Sequence, residues 1–323
     1  MPVRWGVLGA ARIARKQVVP AIGRSHSGEV VAVSSASGKA RAFADDLGIP
    51  RAYDSHDDLL ADGDVDAVYI ALPNAAHAQW TISAAEAGKH VLCEKPLVLG
   101  VAELEQVQQA RDAAGVQVVE AFMYRHHPQL ATVRRLIDEG AIGDFVTLQA
   151  RLHFWLERSA DPDIRLRADM GGGSLLDLGC YPVDLFGLLL GREPDDVAAV
   201  AHRESPGGVD TRLAAVLRYG EVTASLDCSF DSPFRNTAIF IGTIAAITLT
   251  DVFRADRLDG VGTVIVERDD VRDVLEVPGD QYAEEVRAFV RRVTTGTDGA
   301  EEDALTARTA RTLERIVRAA RQS

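Results

Sequence analysis

Apolar positions recur along the chain in two rhythms, and the change between them falls near residue 121. Up to that point short β-branched runs at 3–8, 30–34, 65–71, 90–93 and 117–119 read as strands, and the stretches 12–23, 39–47, 77–87 and 101–113 have the helical period. Strands and helices alternating at this spacing are βαβ units, which predict a parallel sheet with helices on both faces. Short connections and right-handed crossovers then favour a doubly wound, nucleotide-binding sheet of the Rossmann type.

After residue 122 a helix over 129–139 stops at Gly140, and the runs lengthen and alternate. The stretches 145–154, 197–203, 211–219, 222–230, 237–241, 246–249 and 261–268 read as strands, with hairpin-sized turns such as Tyr219-Gly220-Glu221 between them. This predicts an α+β domain with a mostly antiparallel open sheet, interrupted by a helix over 173–190 and closed by helices over 282–294 and 301–321. The fold class is therefore α/β, an N-terminal Rossmann domain over 1–121 plus an α+β domain over 122–323. No repeat or linker separates them.

Length and charge narrow the function. A chain of 323 residues exceeds the size at which one core keeps growing, in keeping with two domains. Against 48 Asp+Glu stand 35 Lys+Arg, a net charge of −13, which argues against a nucleic-acid partner and against an anionic membrane surface. There is no signal-peptide pattern and no run approaching ~18 uninterrupted apolar residues, so a cytoplasmic protein is expected. Cys93, Cys180 and Cys228 form no C-x-x-C pair and are expected to be buried small hydrophobes. No metal-ligand spacing is present, so no metal is expected. Only four residues are lysines, Lys16, Lys39, Lys89 and Lys95, which makes the place of each informative.

Four constellations carry chemistry. Gly9, Ala11 and Ala14 occupy the small positions of G-x-G-x-x-G/A directly after the first strand, where the amides of the following turn, Arg12 and Ile13 among them, would face a pyrophosphate. Ala11 replaces the second glycine, a departure that a methyl group is small enough to allow. At the end of the second strand, Ser34-Ser35-Ala36-Ser37-Gly38-Lys39 lacks the carboxylate that would bind a ribose 2′-hydroxyl. Ser35, Ser37 and Lys39 offer hydroxyls and a cation suited to a 2′-phosphate, so NADP(H) is favoured over NAD(H). The plain alternative is a polar turn capping the next helix.

Leu72-Pro73-Asn74 follows the strand at 65–71, where ligands sit in doubly wound sheets, and His77 lies a turn further on. Glu94-Lys95-Pro96 ends a buried strand. A lysine there can hydrogen-bond a substrate oxygen and favour its oxyanion, and Glu94 can pair with the cofactor or the lysine. Finally Asp177, Tyr181 and Asp184 follow Gly171-Gly172-Gly173 at i, i+4 and i+7, a polar stripe on an apolar helix. Buried polar groups need a reason, and a tyrosine made acidic by a nearby lysine is one.

Together with Glu120-Ala121-Phe122-Met123-Tyr124-Arg125-His126-His127-Pro128 and Asp280-Gln281-Tyr282, these motifs resemble the Gfo/Idh/MocA family across essentially the whole chain. The resemblance implies that Lys95 is the catalytic lysine, Asp177 the substrate-binding carboxylate and Tyr181 the general acid/base. Tyr181 stands where inositol dehydrogenases carry histidine, as in the branch of D-xylose dehydrogenases, dihydrodiol dehydrogenases, glucose–fructose oxidoreductases and deoxysugar 3-ketoreductases. Ile164-Arg165-Leu166 also resembles that branch. The resemblance further implies Glu94, His77 and Arg165 at the cofactor, and Arg125 and Trp155 beside a sugar-like substrate. It also implies a homodimer or homotetramer built through the C-terminal sheet, and a last helix (301–321) folded back on the first domain. A non-catalytic NADP sensor of the same fold is the alternative from another class; such a protein has no need of Lys95 together with Tyr181.

Overall fold

The computed structural model describes residues 2–159, 163–296 and 299–321. They form two compact units, Met1–Phe122 with Tyr282–Asp303, and Met123–Gln281 with Ala304–Ser323. In the first unit β1 (Val3–Leu8), β2 (Gly28–Ser34), β3 (Arg51–Tyr53), β4 (Ala67–Ile70), β5 (His90–Glu94) and β6 (Val118–Ala121) are all parallel, in the order β3-β2-β1-β4-β5-β6. This is the doubly wound order, whose reversal of direction at β1 and β4 opens a crevice at the strands' carboxyl ends. Every residue of β4 and β6 is buried, as parallel strands covered on both faces must be. The connecting helices are α1 (Val19–Ser25), α2 (Ala40–Leu47), α3 (His56–Leu60), α4 (Asn74–Glu86) and α5 (Val101–Ala114). Strand β3 and helix α3 are too short to produce a periodic signal, and the sequence pattern misses both.

The second unit contains α6 (Pro128–Asp138), α7 (Cys180–Leu190) and the strands β7 (Phe145–His153), β8 (Asp196–Arg203), β9 (Asp210–Tyr219), β10 (Val222–Ser229), β11 (Arg235–Gly242), β12 (Ala246–Leu249), β13 (Val261–Arg268) and β14 (Val271–Pro278). They form an eight-stranded sheet, β14-β13-β12-β11-β7-β10-β9-β8, antiparallel throughout except where β7 runs parallel to β10. Along β9, buried Leu213, Ala215, Leu217 and Tyr219 alternate with exposed neighbours: one face lies on the core and the other is open. Strand β14, an exposed edge rich in charge, is the strand that the apolar pattern does not show.

Two helices contain a π turn, and in each the turn lies just ahead of a proline. Ala14–Val18 precedes Pro20 in α1, and Leu175–Gly179 precedes Pro182 in α7. Proline has no N–H to continue the ladder and is tolerated only in a helix's first turn, so a fresh helical start is made immediately before it. The expected single helix over 173–190 is therefore two joined pieces. The stretch 168–190 is long and apolar enough to cross a membrane, but 72% of its 18-residue window is buried within the protein, as in a core helix.

The chain closes with α8 (Gln281–Thr295) and α9 (Ala300–Ala319). Helix α8 lies with the Rossmann sheet, and the first turn of α9 joins it there through Asp303, which pairs with Arg111 of α5 at 2.6 Å. Phe289 packs on the buried Trp5 of β1 with ring centroids 4.9 Å apart, and Arg287 donates to the Ser25 and Arg24 carbonyls. From Ala304 onward α9 belongs to the second unit: Thr309 reaches Asp184, Arg311 pairs with Glu193 at 2.7 Å, and Arg315 donates to the Pro194 and Asp195 carbonyls. The apolar face of α8 is what covers β1. Phe289→Ala, which opens a cavity against Trp5, should therefore cost about 3–5 kcal/mol in the first unit's unfolding transition. Denaturant titration followed by Trp5 fluorescence measures this.

Candidate functional site

At the carboxyl end of β1 the chain turns at Gly9, whose φ of +103° suits glycine alone; an added Cβ would stand 2.5 Å from the Ala71 carbonyl oxygen at the end of β4. The turn through Ala11 opens a helical run from residue 12 to 25 whose leading amides have no preceding carbonyl to pair with, which is the usual seat for a phosphate. One strand over, the Ser35 and Ser37 hydroxyls lie 3.0 Å apart and the Ser35 amide is fixed on the Tyr53 carbonyl. Lys39 is exposed just beyond, and no carboxylate interrupts residues 34–39. A narrow glycine turn with a hydroxyl-and-lysine turn beside it fits a dinucleotide carrying a 2′-phosphate.

Lys95 follows β5 on a turn that three side chains of this unit hold. The buried Tyr69 of β4 donates its hydroxyl to Glu94, and burial first, then Glu94, keeps that phenol well above its ordinary pKa. Glu120 of β6, itself buried, accepts from the Leu97 amide at 2.9 Å. His77 of α4 places Nδ1 2.8 Å from the Pro96 carbonyl oxygen. The residues before and after Lys95 are thus fixed from three neighbouring elements, while Lys95 itself is half-buried at the sheet's carboxyl edge.

In the second unit the triple glycine has a packing cause. A Cβ on Gly172 would stand 2.5 Å from the Arg165 carbonyl oxygen; one on Gly173, whose φ is +120°, would stand 2.6 Å from Asp210 Oδ1. Asp210 of β9 accepts from Ser174 Oγ at 2.6 Å and from the Leu175 amide at 2.7 Å, capping the π turn from outside its own segment. The Gly173 amide binds the Arg165 carbonyl in return, and the Arg165 guanidinium donates from Nε to Asp177 Oδ2 at 2.8 Å while Nη1 reaches Asp163. Asp177's charge, with Asp163's, raises the Arg165 pKa above its ordinary value.

Tyr181 is 6% exposed, between the rings of Tyr124 (6.0 Å) and Phe253 (5.3 Å), with its hydroxyl 3.7 Å from Met123 Sδ. Asp184 is wholly buried one turn on and accepts from Tyr124 Oη, from Arg125 through Nε (2.9 Å) and Nη2, and from Thr309 Oγ1 (3.0 Å). Burial, then the adjacent carboxylate, holds the Tyr124 phenol well above its ordinary pKa. Asp184 thereby fixes one wall of the Tyr181 pocket, because Tyr124 touches both.

The expected residues thus sort into several environments. Gly9, Ala11, Arg12, Ile13, Ser35, Ser37, Lys39, Leu72, Pro73, Asn74, Glu94 and Lys95 all lie at the carboxyl ends of β1, β2, β4 and β5. Asn74 opens α4 rather than capping it, since Pro73 holds the cap position. His77, expected at the cofactor, is fully buried with both ring nitrogens on backbone carbonyls. Arg125, expected at the substrate, is engaged by Asp184; Arg165, expected at the cofactor, is engaged by Asp177 and Asp163. Trp155 stands 66% exposed just beyond β7. His127 caps α6 by accepting from the Gln129 amide. The three cysteines are buried thiols. Tyr69, Glu120 and Asp210 are absent from the expected set. Their one sequence signal is a polar atom within or beside an apolar strand, and its use becomes visible only when a neighbouring backbone amide or carboxylate is placed against it.

A glycine turn and a lysine turn on the carboxyl edge of this strand order define a dinucleotide-dependent oxidoreductase. The chain belongs to the Gfo/Idh/MocA family: residues 3–122 match GFO_IDH_MocA, the oxidoreductase family with an NAD-binding Rossmann fold, and residues 130–248 match the GFO/IDH/MocA C-terminal domain. It is 40% identical over 295 residues to D-xylose 1-dehydrogenase (NADP(+)) 2 of Haloferax volcanii, covering 90% of this chain and 89% of the relative. It is 36% identical over 310 residues to dTDP-3,4-didehydro-2,6-dideoxy-alpha-D-glucose 3-reductase of Actinomadura kijaniata, covering 94% and 92%. Among solved structures, the 3-ketoreductase KijD10 of Actinomadura kijaniata, in complex with NADP and TDP-benzene, superposes with a TM-score of 0.92 at 33% identity over 99% of this chain and 98% of that one.

Removing Asp184 takes away an acceptor shared by four donor groups of three residues. Asp184→Ala should lower the second unit's stability by about 3–5 kcal/mol, read from the denaturation midpoint and slope, whereas a loss under about 1 kcal/mol would show that the cluster is not a mainstay of that unit.

Proposed function

We propose that this protein is an NADP-dependent oxidoreductase interconverting a hydroxyl and a carbonyl on a sugar or sugar-like substrate, with Tyr181 as general acid/base and Lys95 as its electrostatic partner. The observation that carries the reading is the Lys95 turn: buried side chains from β4, α4 and β6 hold the Glu94 carboxylate before, and the Pro96 and Leu97 backbone after, a residue type the chain uses only four times. The glycine turn would hold the pyrophosphate, Ser35, Ser37 and Lys39 the 2′-phosphate, and Leu72–Asn74 with Glu94 the neighbouring part of the dinucleotide. When bound, that cofactor supplies or accepts the hydride.

The chain's own residues do the rest. In the reducing direction Tyr181 gives its Oη proton to the carbonyl oxygen, and in the oxidising direction it takes that proton back. Lys95 hydrogen-bonds the same oxygen and favours the negative charge that develops there. Asp177 accepts a hydrogen bond from an adjacent substrate hydroxyl, and Arg165 orients it through the 2.8 Å ion pair. The name of the Haloferax relative and the NADP in the KijD10 complexes support the cofactor, and the sugar substrates in the relatives' names support the substrate class.

Tyr181→Phe and Lys95→Ala should each lower turnover about 100-fold or more with the NADPH dissociation constant changed by less than about threefold; Lys39→Ala should instead weaken NADPH about tenfold and leave NADH unaffected. NADPH oxidation with keto sugars and NADP reduction with aldoses provide the assay. Wild-type affinity for NADPH with no turnover on any sugar would replace the enzyme by the sensor.

The same reading extends to assembly. Across the outer face of the second sheet one row runs through every strand: Ala198, Val216, Ser225, Gln149, Ile239, Thr248, Ile265 and Val274, each opposite the next in register, with Ile265 alone of the eight buried. None is charged, although the chain is 26% charged overall, and Val216 is 50% exposed. A second copy of this chain is the partner that such a face suits, as a dimer or a pair of dimers. Sedimentation should show a homo-oligomer that Val216→Arg with Ile239→Arg reduces to monomer; a monomeric wild type would remove the assignment.

A further inference from the structure

The fully buried His77 of α4 reaches two turns at once. Its Nδ1 lies 2.8 Å from the Pro96 carbonyl oxygen, on the turn that carries Lys95, and its Nε2 lies 2.9 Å from the Leu72 carbonyl oxygen, on the turn that opens α4. We propose that His77 is a positioning residue that couples these two turns through one imidazole, setting Lys95 relative to the Leu72–Asn74 segment. The inference rests on the reading that Leu72–Asn74 meets the dinucleotide and Lys95 the reacting oxygen.

The chemistry of the contacts makes the coupling specific. A carbonyl oxygen only accepts, so each turn is held only when the ring nitrogen facing it carries a proton. A proton on Nδ1 holds the lysine turn, a proton on Nε2 holds the cofactor turn, and the doubly protonated ring holds both. Burial, assisted by the nearby charge of Lys95, lowers the ring's pKa even though the two carbonyls favour the charged form. The neutral ring therefore serves the two turns with a single proton. A histidine placed only to fill space would not align both nitrogens with acceptors; a phenylalanine or leucine would fill the same volume and offer neither buried carbonyl oxygen a donor.

The two amide side chains separate the two bonds. Asparagine places its N–H₂ near the Nδ1 position and glutamine near the Nε2 position, so each can replace one donor and not the other. In the full-length protein, fluorescence titration with NADPH gives cofactor affinity without turnover, and steady-state kinetics give kcat. We expect His77→Asn to keep kcat within about threefold while weakening NADPH about tenfold, the size of one net hydrogen bond, and His77→Gln to do the reverse; His77→Phe should lose both. Equal losses in both parameters for Asn and Gln, or no loss in either, would overturn the proposal. Should the amides fail to fold, ¹⁵N spectra of the wild-type ring decide: a slowly exchanging, hydrogen-bonded ring N–H supports the coupling, and N–H groups exchanging freely with solvent overturn it. A wild type that binds NADPH but turns over no sugar would count against the enzymatic reading instead, and the affinity arm would still report on the cofactor turn.

Discussion

Backbone amides and carbonyls buried where a strand ends have no ladder partner, and something else must satisfy them. In the first unit that requirement is met by side chains whose placement also fixes the turn that carries Lys95. Glu120 takes the Leu97 amide, His77 faces the Leu72 and Pro96 carbonyls, and Lys89 donates to the Asp62 and Val65 carbonyls ahead of β4. These five backbone sites, one at Glu120, two at His77 and two at Lys89, could have been met by water on an exposed loop. Here they are met by groups with one geometry, so the turns leave the sheet in fixed directions and Lys95 inherits that rigidity.

The second unit meets the same requirement differently. The side chains proposed to act there sit on a helix whose first amides lack helical partners, and Asp210 reaches across from β9 to cap it. The triple glycine then lets the 164–170 segment lie against that start without a Cβ between them, which brings Arg165 to Asp177. The π turn at Leu175–Gly179 and the proline at 182 belong to the same local solution, and the first unit repeats it with Ala14–Val18 and Pro20. In the second unit the register changes at Asp177, proposed to meet the substrate, and in the first it changes just after the turn proposed to hold the pyrophosphate.

Much of this was legible in the chain because its signals are local. Parallel strands buried on both faces must be apolar throughout, so β1 and β4 stand out, and a lysine directly after the apolar run of β5 is conspicuous in a chain with four. Pairings that join distant segments leave no such trace. Nothing near Asp184 announces Thr309, 125 residues away, and nothing near His77 announces the Pro96 carbonyl, so a spacing rule that grouped Asp177, Tyr181 and Asp184 as one polar stripe could not assign them different work. Arg125 and Arg165, which the resemblance puts beside ligands, also pair with Asp184 and Asp177, pairings that no spacing rule announces. Strand β14 was hidden because an exposed edge is protected by charge, and charge erases the alternation by which a strand is read.

The acidic balance of the chain looks at first unfavourable for a dinucleotide with three phosphates. Screening changes the comparison. At physiological ionic strength charges further than about 8 Å apart interact weakly, so the net −13 governs solubility and long-range approach, while binding is decided by the groups within that distance. Around the proposed phosphate seats those groups are helix-leading amides, two hydroxyls and Lys39, with no carboxylate in residues 34–39. Elsewhere several acidic residues are engaged by arginines: Asp64 and Asp66 by Arg4, Asp177 by Arg165, Asp184 by Arg125, Asp303 by Arg111 and Arg292. What a phosphate bound at the proposed seats would meet is the local set of donors, and the net charge of the whole chain does not decide it.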